Sequence, residues 1–329
     1  MNFDRMKHLF TFITIALSIV VLNSCNKTQD NLSTNINDES LIISELKSFN
    51  DSLLINLSPT KGFSKETLII VMADLDGAYK GAKTGIRIGS KLGGLAGNPA
   101  LGAAIGGFIG GIGFGAFQSW LASPSSELSN DTPENLTNLD YNIITNAYSR
   151  YCMGDNDAID LIYLESEKVK SQVLLDSTLI NMVGLDENSM KVGQYHNVML
   201  SALEGNLADT EKISTKADLG SQEFPKFETV LEAEILYSGE MCSAFNELYQ
   251  TTEIVEENLE LPDVIMQMYS ELMNQYVSGS EDIIYIINKY TECIDNSSEL
   301  TADEKNSLKM GLATSLYSYN YWANSGLII

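Results

Sequence analysis

The residues able to carry chemistry are few. His196, in Tyr195-His196-Asn197, is one of two histidines in the chain, and it falls on a stretch with helical periodicity, where a packed imidazole is the ordinary expectation. Asp155, Asp157 and Asp160 bunch as calcium ligands do. An EF-hand loop, however, needs an oxygen ligand where Ile159 stands and a glycine at the next position, so no metal site is expected. Cys152, Cys242 and Cys293 form an odd set that allows at most one intramolecular disulfide, and each is expected to pack rather than react. The run Tyr317, Tyr319, Tyr321, Trp322 has the composition of a sugar or interface platform, although aromatics on a last helix more commonly close a core. Spacing alone nominates no carboxylate pair for hydrolysis. No catalytic residue and no cofactor is assigned.

One cysteine differs from these. Arg5 and Lys7 precede an uncharged apolar run from Leu9 to Leu22, too short for a spanning helix of about 20 residues, and the run ends in Leu22-Asn23-Ser24-Cys25. This arrangement resembles the lipobox of bacterial lipoproteins. Asn23 stands in a slot that commonly holds a smaller residue. The resemblance implies cleavage before Cys25 by signal peptidase II, acylation of Cys25, and a protein anchored to membrane lipid outside the cytoplasm, in a bacterial envelope at the outer membrane or cell surface. Several fatty chains exceed what stable anchoring needs, at about 0.8 kcal/mol per buried methylene.

The second unusual feature is a glycine repeat. Gly77, Gly81, Gly85, Gly89, Gly93 and Gly97 keep a spacing of four; Asn98-Pro99 interrupts; then Gly102, Gly106 and Gly110 interleave with Gly107, Gly111 and Gly115. No Gly-Lys-Ser/Thr ending makes this a phosphate loop, and flexible linkers lack the period and the interleaved Ile, Leu and Phe. Residues four apart share a helix ridge, and a ridge of glycines lets two backbones approach closely. Two helices are therefore predicted, over 65–97 and 100–122, closing as a hairpin with glycine face to glycine face. Leucine on that ridge should overpack, whereas alanine should be tolerated. Lys80, Lys83, Arg87 and Lys91 line the first helix away from the glycines, facing lipid headgroups or an acidic partner. In the second helix Leu101, Ile105, Phe108, Ile109 and Ile112 make a bulky face. The segment resembles the glycine-zipper segments of bacterial envelope proteins and of some membrane-active bacteriocins. Residues 100–122 are long enough to span a bilayer, but the four cations make the first helix interfacial, and a fully spanning hairpin is disfavoured.

The elements around these features read as helices. Within 329 residues, 44 are acidic and 20 basic, a formal net charge of −24, which excludes a simple nucleic-acid binder. The charge is divided: positions 77–122 hold four basic and no acidic residues, whereas 123–329 hold 10 basic and 35 acidic. Solvated helix faces account for this acidity; a sharper reading has the acidic part docking and masking the cationic hairpin. Helical periodicity marks 40–57, 139–151, 158–175, 190–203, 227–259, 264–277, 282–294 and 302–322. The expected organisation is a signal peptide (1–24), a polar tether (25–40), an amphipathic helix and linker (41–64), the hairpin (65–122), a linker (123–139) and an acidic all-α domain (140–329). The fold class is all-α: a glycine-zipper hairpin followed by an acidic helical bundle. The leading functional expectation is a non-enzymatic envelope lipoprotein whose hairpin mediates membrane association or helix-packed self-assembly into a homo-oligomer. A secreted bacteriocin-like permeabilising protein comes second and a carboxylate-type hydrolase third.

Overall fold

The structure, a computed structural model, describes residues 40–55, 65–95, 99–122, 174–203, 259–277 and 279–325. Among them every regular element is an α-helix: α1 (Leu41–Ile55), α2 (Lys65–Leu95), α3 (Pro99–Ala122), α4 (Ser177–Ile180), α5 (Glu187–Leu203), α6 (Leu261–Tyr276), α7 (Ser280–Asn296) and α8 (Ala302–Ser325). The signal segment with Cys25, the linker 123–139, and the helices expected over 139–151, 158–175 and 227–259 lie outside the described residues, save the last positions of the latter two. The short α4 has no periodicity to announce it. It is started by Asp176, whose carboxylate accepts from the Thr178 N–H at 2.7 Å.

Local signals explain most helix starts. α3 opens at Pro99, whose fixed φ suits a first turn and whose missing N–H is no loss there. Thr301 and Glu304 make a reciprocal capping box for α8: the Glu304 carboxylate accepts from the Thr301 N–H at 2.7 Å, and the Thr301 hydroxyl accepts from the Glu304 N–H at 3.3 Å. Asp186 accepts from the Ser189 N–H at 3.0 Å ahead of α5. The cap of α1 comes from far away in sequence. Glu299, just before α8, accepts from the backbone N–H groups of Leu41 at 2.9 Å and Ile42 at 3.3 Å.

One apolar cluster gathers α1, α2, α6, α7 and α8, with Leu46, Tyr79, Ile265, Tyr269, Ile286, Tyr290 and Leu308 inside it. Its centre is an edge-to-face contact between Tyr269 and Tyr290, ring centroids 5.2 Å apart. α8 is the pivot of the molecule. It meets α2 where Gly311 lies against Tyr79, α5 where Gly193 lies against Tyr317, and α3 where Trp322 donates to the Ser119 hydroxyl at 3.2 Å. α2 and α3 thus share buried contacts with the C-terminal helices, and α5 and α8 cover the hairpin.

Candidate functional site: the glycine hairpin and its polar seam

α2 and α3 run antiparallel with their backbones in contact. A Cβ added at Gly81 would sit under 3.0 Å from the Gly110 carbonyl oxygen, one at Gly85 equally close to that of Gly106, and one at Gly110 equally close to that of Gly81. Real Cβ atoms do not approach backbone this way, so only hydrogen fits. Gly77 continues the ridge, its Cβ position 2.9 Å from the Phe114 carbonyl. The interleaved glycines of α3 serve other neighbours. Gly107 receives the Ile86 side chain, a Cβ added at Gly111 would lie 3.1 Å from Val192 of α5, and one added at Gly115 would lie 3.1 Å from the His196 ring and 3.2 Å from Ala78. Gly89 and Gly106 are buried and Gly102 is half-buried, while Gly97 falls outside the described residues and Gly93 lies at the α2 end. The expectation that alanine fits the small face does not hold at Gly81, Gly85 or Gly110, because what meets the methyl is rigid carbonyl rather than a side chain that can turn.

The bulky face of α3 is covered by protein. Ile105, Phe108, Ile109 and Ile112 are buried, and Phe108 packs edge-on against Tyr195 of α5 with centroids 5.4 Å apart. Four such side chains contribute about 1.5 to 3 kcal/mol each by leaving water. Among the described residues no helix is long and apolar enough to cross a membrane.

Between the hairpin and its cover runs a seam of buried polar groups. Asp74 of α2 and His196 of α5 are both 0% exposed, and the Asp74 Oδ1 and His196 Nε2 atoms stand 3.2 Å apart. That separation suits an ion pair, but the direction does not suit a hydrogen bond, and both atoms lack one. The other oxygen of Asp74 accepts from the Ser318 hydroxyl of α8. His196 Nδ1 lies 3.1 Å from Asn197 Oδ1, and the Asn197 amide donates to the Tyr317 carbonyl at 2.8 Å. Ser201 donates to the Tyr321 hydroxyl at 3.2 Å, and Tyr269 pairs with Ser315 at 2.8 Å. The triad of residue types here is not arranged for nucleophilic catalysis: Ser318 bonds the carboxylate, whereas an activated serine bonds the imidazole. The sequence placed His196 on a helix, but Asp74, 122 residues earlier, carried no signal that it would meet it.

The basic ridge of α2 is divided between two fates. Lys80 pairs with Asp76 on its own helix at 2.8 Å. Lys83 reaches the start of α6, 2.5 Å from Glu260 and 3.6 Å from Asp263, and lies over the Tyr79 ring at 5.8 Å from its centroid. The Tyr79 hydroxyl donates to Asp263 at 2.7 Å, and burial, reinforced by that carboxylate, pushes its phenol well above the ordinary range. Arg87 and Lys91, nearer the hairpin tip, are exposed. Among the described residues, contact between the basic ridge and acidic residues of other helices is therefore local to Lys83, and the described cover of the hairpin is mainly apolar and neutral polar.

Of the remaining candidates, Cys293, Tyr317, Tyr321 and Trp322 are packed in the interior. Cys293 is a free, buried thiol, raised to about 12 by burial first and then by the Glu45 carboxylate beside it; Cys152 and Cys242 lie outside the described residues. Tyr317, Tyr321 and Trp322 are buried and close the core, with Tyr321 edge-on to Trp322 at 5.3 Å. Asp155, Asp157 and Asp160 lie outside the described residues, and among the described residues no cluster of His, Cys, Asp and Glu could hold a metal ion. Gly193 and Gly311, which no repeat marks, let α8 approach α5 and α2. Compared with protein-family models, with curated proteins and with solved structures, the chain gives no match.

Proposed function

We propose that this chain is a non-enzymatic lipoprotein of a bacterial cell envelope, held to membrane lipid through acylated Cys25, whose glycine hairpin is a membrane-directed element stored against its helical body. The observation that supports this reading is the hairpin itself: two helices joined backbone to backbone by glycines, apolar on the far side of α3, with that face sheathed by α5 and α8. Such a pair can leave its cover as one unit, because its internal contact is independent of the body. The glycine faces are spent on each other, which favours membrane association over self-assembly through the same glycines. Arg87 and Lys91 are placed to meet anionic headgroups, at about 1 kcal/mol per cation near such a surface.

The test has two parts. Wild-type protein labels with fatty acid and fractionates with membranes, whereas Cys25→Ser does neither; labelling of the mutant would remove the anchor from the account. Unacylated protein then floats with vesicles containing phosphatidylglycerol, and Arg87→Glu/Lys91→Glu weakens that flotation. The bacteriocin-like reading draws on the same sheathed hairpin, since a permeabilising protein must hide its apolar segment until it meets a target. Release of a trapped dye from the vesicles would favour it, and binding without release favours the anchored protein.

A further inference from the structure

We propose that the Asp74–His196 pair is the lock that holds the glycine hairpin on the helical body, and that breaking it frees α2 and α3 together. This deepens the reading of the hairpin as a membrane-directed element and rests on it for the purpose of release, though not for the lock itself. The pair joins hairpin to cover: Asp74 belongs to α2, His196 to α5, and the other Asp74 oxygen accepts from Ser318 of α8. Three helices therefore meet at a single carboxylate with no access to water.

The chemistry of the seam fixes what the lock is. The Asn197 amide nitrogen is committed to the Tyr317 carbonyl, so Asn197 Oδ1 is an acceptor and the His196 Nδ1 facing it carries a hydrogen. On the other side of the ring, Nε2 faces a carboxylate oxygen, and a bare lone pair there would oppose it. One proton between the two atoms, on either of them, resolves the contact and holds the ring to the carboxyl group. His196 also packs directly on Gly115 of α3, so withdrawing the ring loosens both helices of the hairpin. No other charged residue among those described is shown touching the pair. A buried polar pair in such a place adds little stability compared with apolar residues of the same volume, but removing one partner strands the other. That asymmetry suits a contact meant to be either made or broken. An all-apolar seam would hold the hairpin without any such choice.

The experiment is site-resolved amide hydrogen exchange on the mature chain in water, with flotation on phosphatidylglycerol/phosphatidylcholine vesicles as a second readout. Asp74→Asn and His196→Gln are each expected to accelerate exchange in α2 and α3 by about 100-fold or more while α6 and α7 keep their protection, and to increase flotation. The double variant Asp74→Leu/His196→Leu fills the seam with apolar groups. It is expected to restore wild-type protection and to lose the gain in flotation. In the wild type, His196 Nδ1 should report N–H in nitrogen-15 spectra, since it faces the Asn197 Oδ1 acceptor. Uniform acceleration across all helices, or none in α2 and α3, would overturn the lock. Selective opening without a gain in flotation would leave the lock standing and overturn the membrane-directed reading.

Discussion

Replacing Gly85 with alanine inserts one methyl group where α2 and α3 are closest. The added Cβ lies far inside contact distance of the Gly106 carbonyl oxygen and also meets its carbonyl carbon at 2.6 Å. An ordinary contact begins at 3.4 Å, and neither atom belongs to a side chain that can rotate away. The helices must therefore part, and the strain reaches Gly81 and Gly110 one turn along. Alanine gains about 1 kcal/mol of helix propensity over glycine; overpacking a rigid core costs about 1 to 3 kcal/mol, occasionally more, and parting the helices adds lost contacts along the ridge. The expected balance is a net loss of about 1 to 3 kcal/mol. Gly94 is the internal control, since its Cβ would meet nothing within 4 Å, so Gly94→Ala should gain up to about 1 kcal/mol. Urea denaturation of the protein followed by circular dichroism reads both, as opposite shifts of midpoint at an unchanged slope. If Gly85→Ala is as stable as Gly94→Ala, the backbones do not touch and the ridge is only a composition.

Other outcomes follow from single contacts. Cys293, with its thiol raised to about 12 and buried, should resist iodoacetamide at pH 8 in the native protein and react at once in denaturant, as mass spectrometry would show. Glu299→Ala should fray the start of α1 and cost about 1 kcal/mol or less, because the carboxylate caps Leu41 and Ile42. Hydrogen bonds from Ser40 and the α1 backbone hold the Glu299 carboxyl below its ordinary value, so its contribution is present above the usual carboxylate range and fades as pH falls through the lowered value; wild type and variant should converge in acid melts. Tyr79→Phe should cost about 1 kcal/mol and, by removing the donor to Asp263, loosen the Lys83 clasp, read as faster exchange at the first turn of α6.

What the sequence made legible follows from what each feature depends on. The two hairpin helices were readable, because a period of four and an Asn-Pro step are local properties of the chain. The helices 187–203, 261–276, 280–296 and 302–325 follow their apolar periodicity and caps for the same reason. Partner choice was not readable. That Gly81 and Gly85 meet Gly110 and Gly106 follows from antiparallel closure, but the division of the α3 glycines between α2 and α5 depends on where α5 docks. The meeting of Asp74 with His196 is of the same kind. Both residues lie on faces that look amphipathic, and which of the acids of α2 is buried, Asp74 rather than its neighbour Asp76, becomes visible only when three helices are packed. Glu299 as the cap of α1 is equally distant in sequence, while Gly193 and Gly311 sit alone in their helices, where glycine reads as a weak spot rather than a point of contact.

The central claim, that α3 is stored against protein in water and delivered to lipid at an anionic surface, is tested most directly by photo-crosslinking. Unacylated protein is mixed with vesicles carrying a photoactivatable phosphatidylglycerol whose reactive group sits in the acyl chain, and the adducts are mapped by mass spectrometry. The account predicts lipid adducts within 99–122, centred on Ile105, Phe108, Ile109 and Ile112, whose side chains are buried in the free protein, and more of them in Asp74→Asn. Adducts confined to other segments, with 99–122 unlabelled in both proteins, would contradict it.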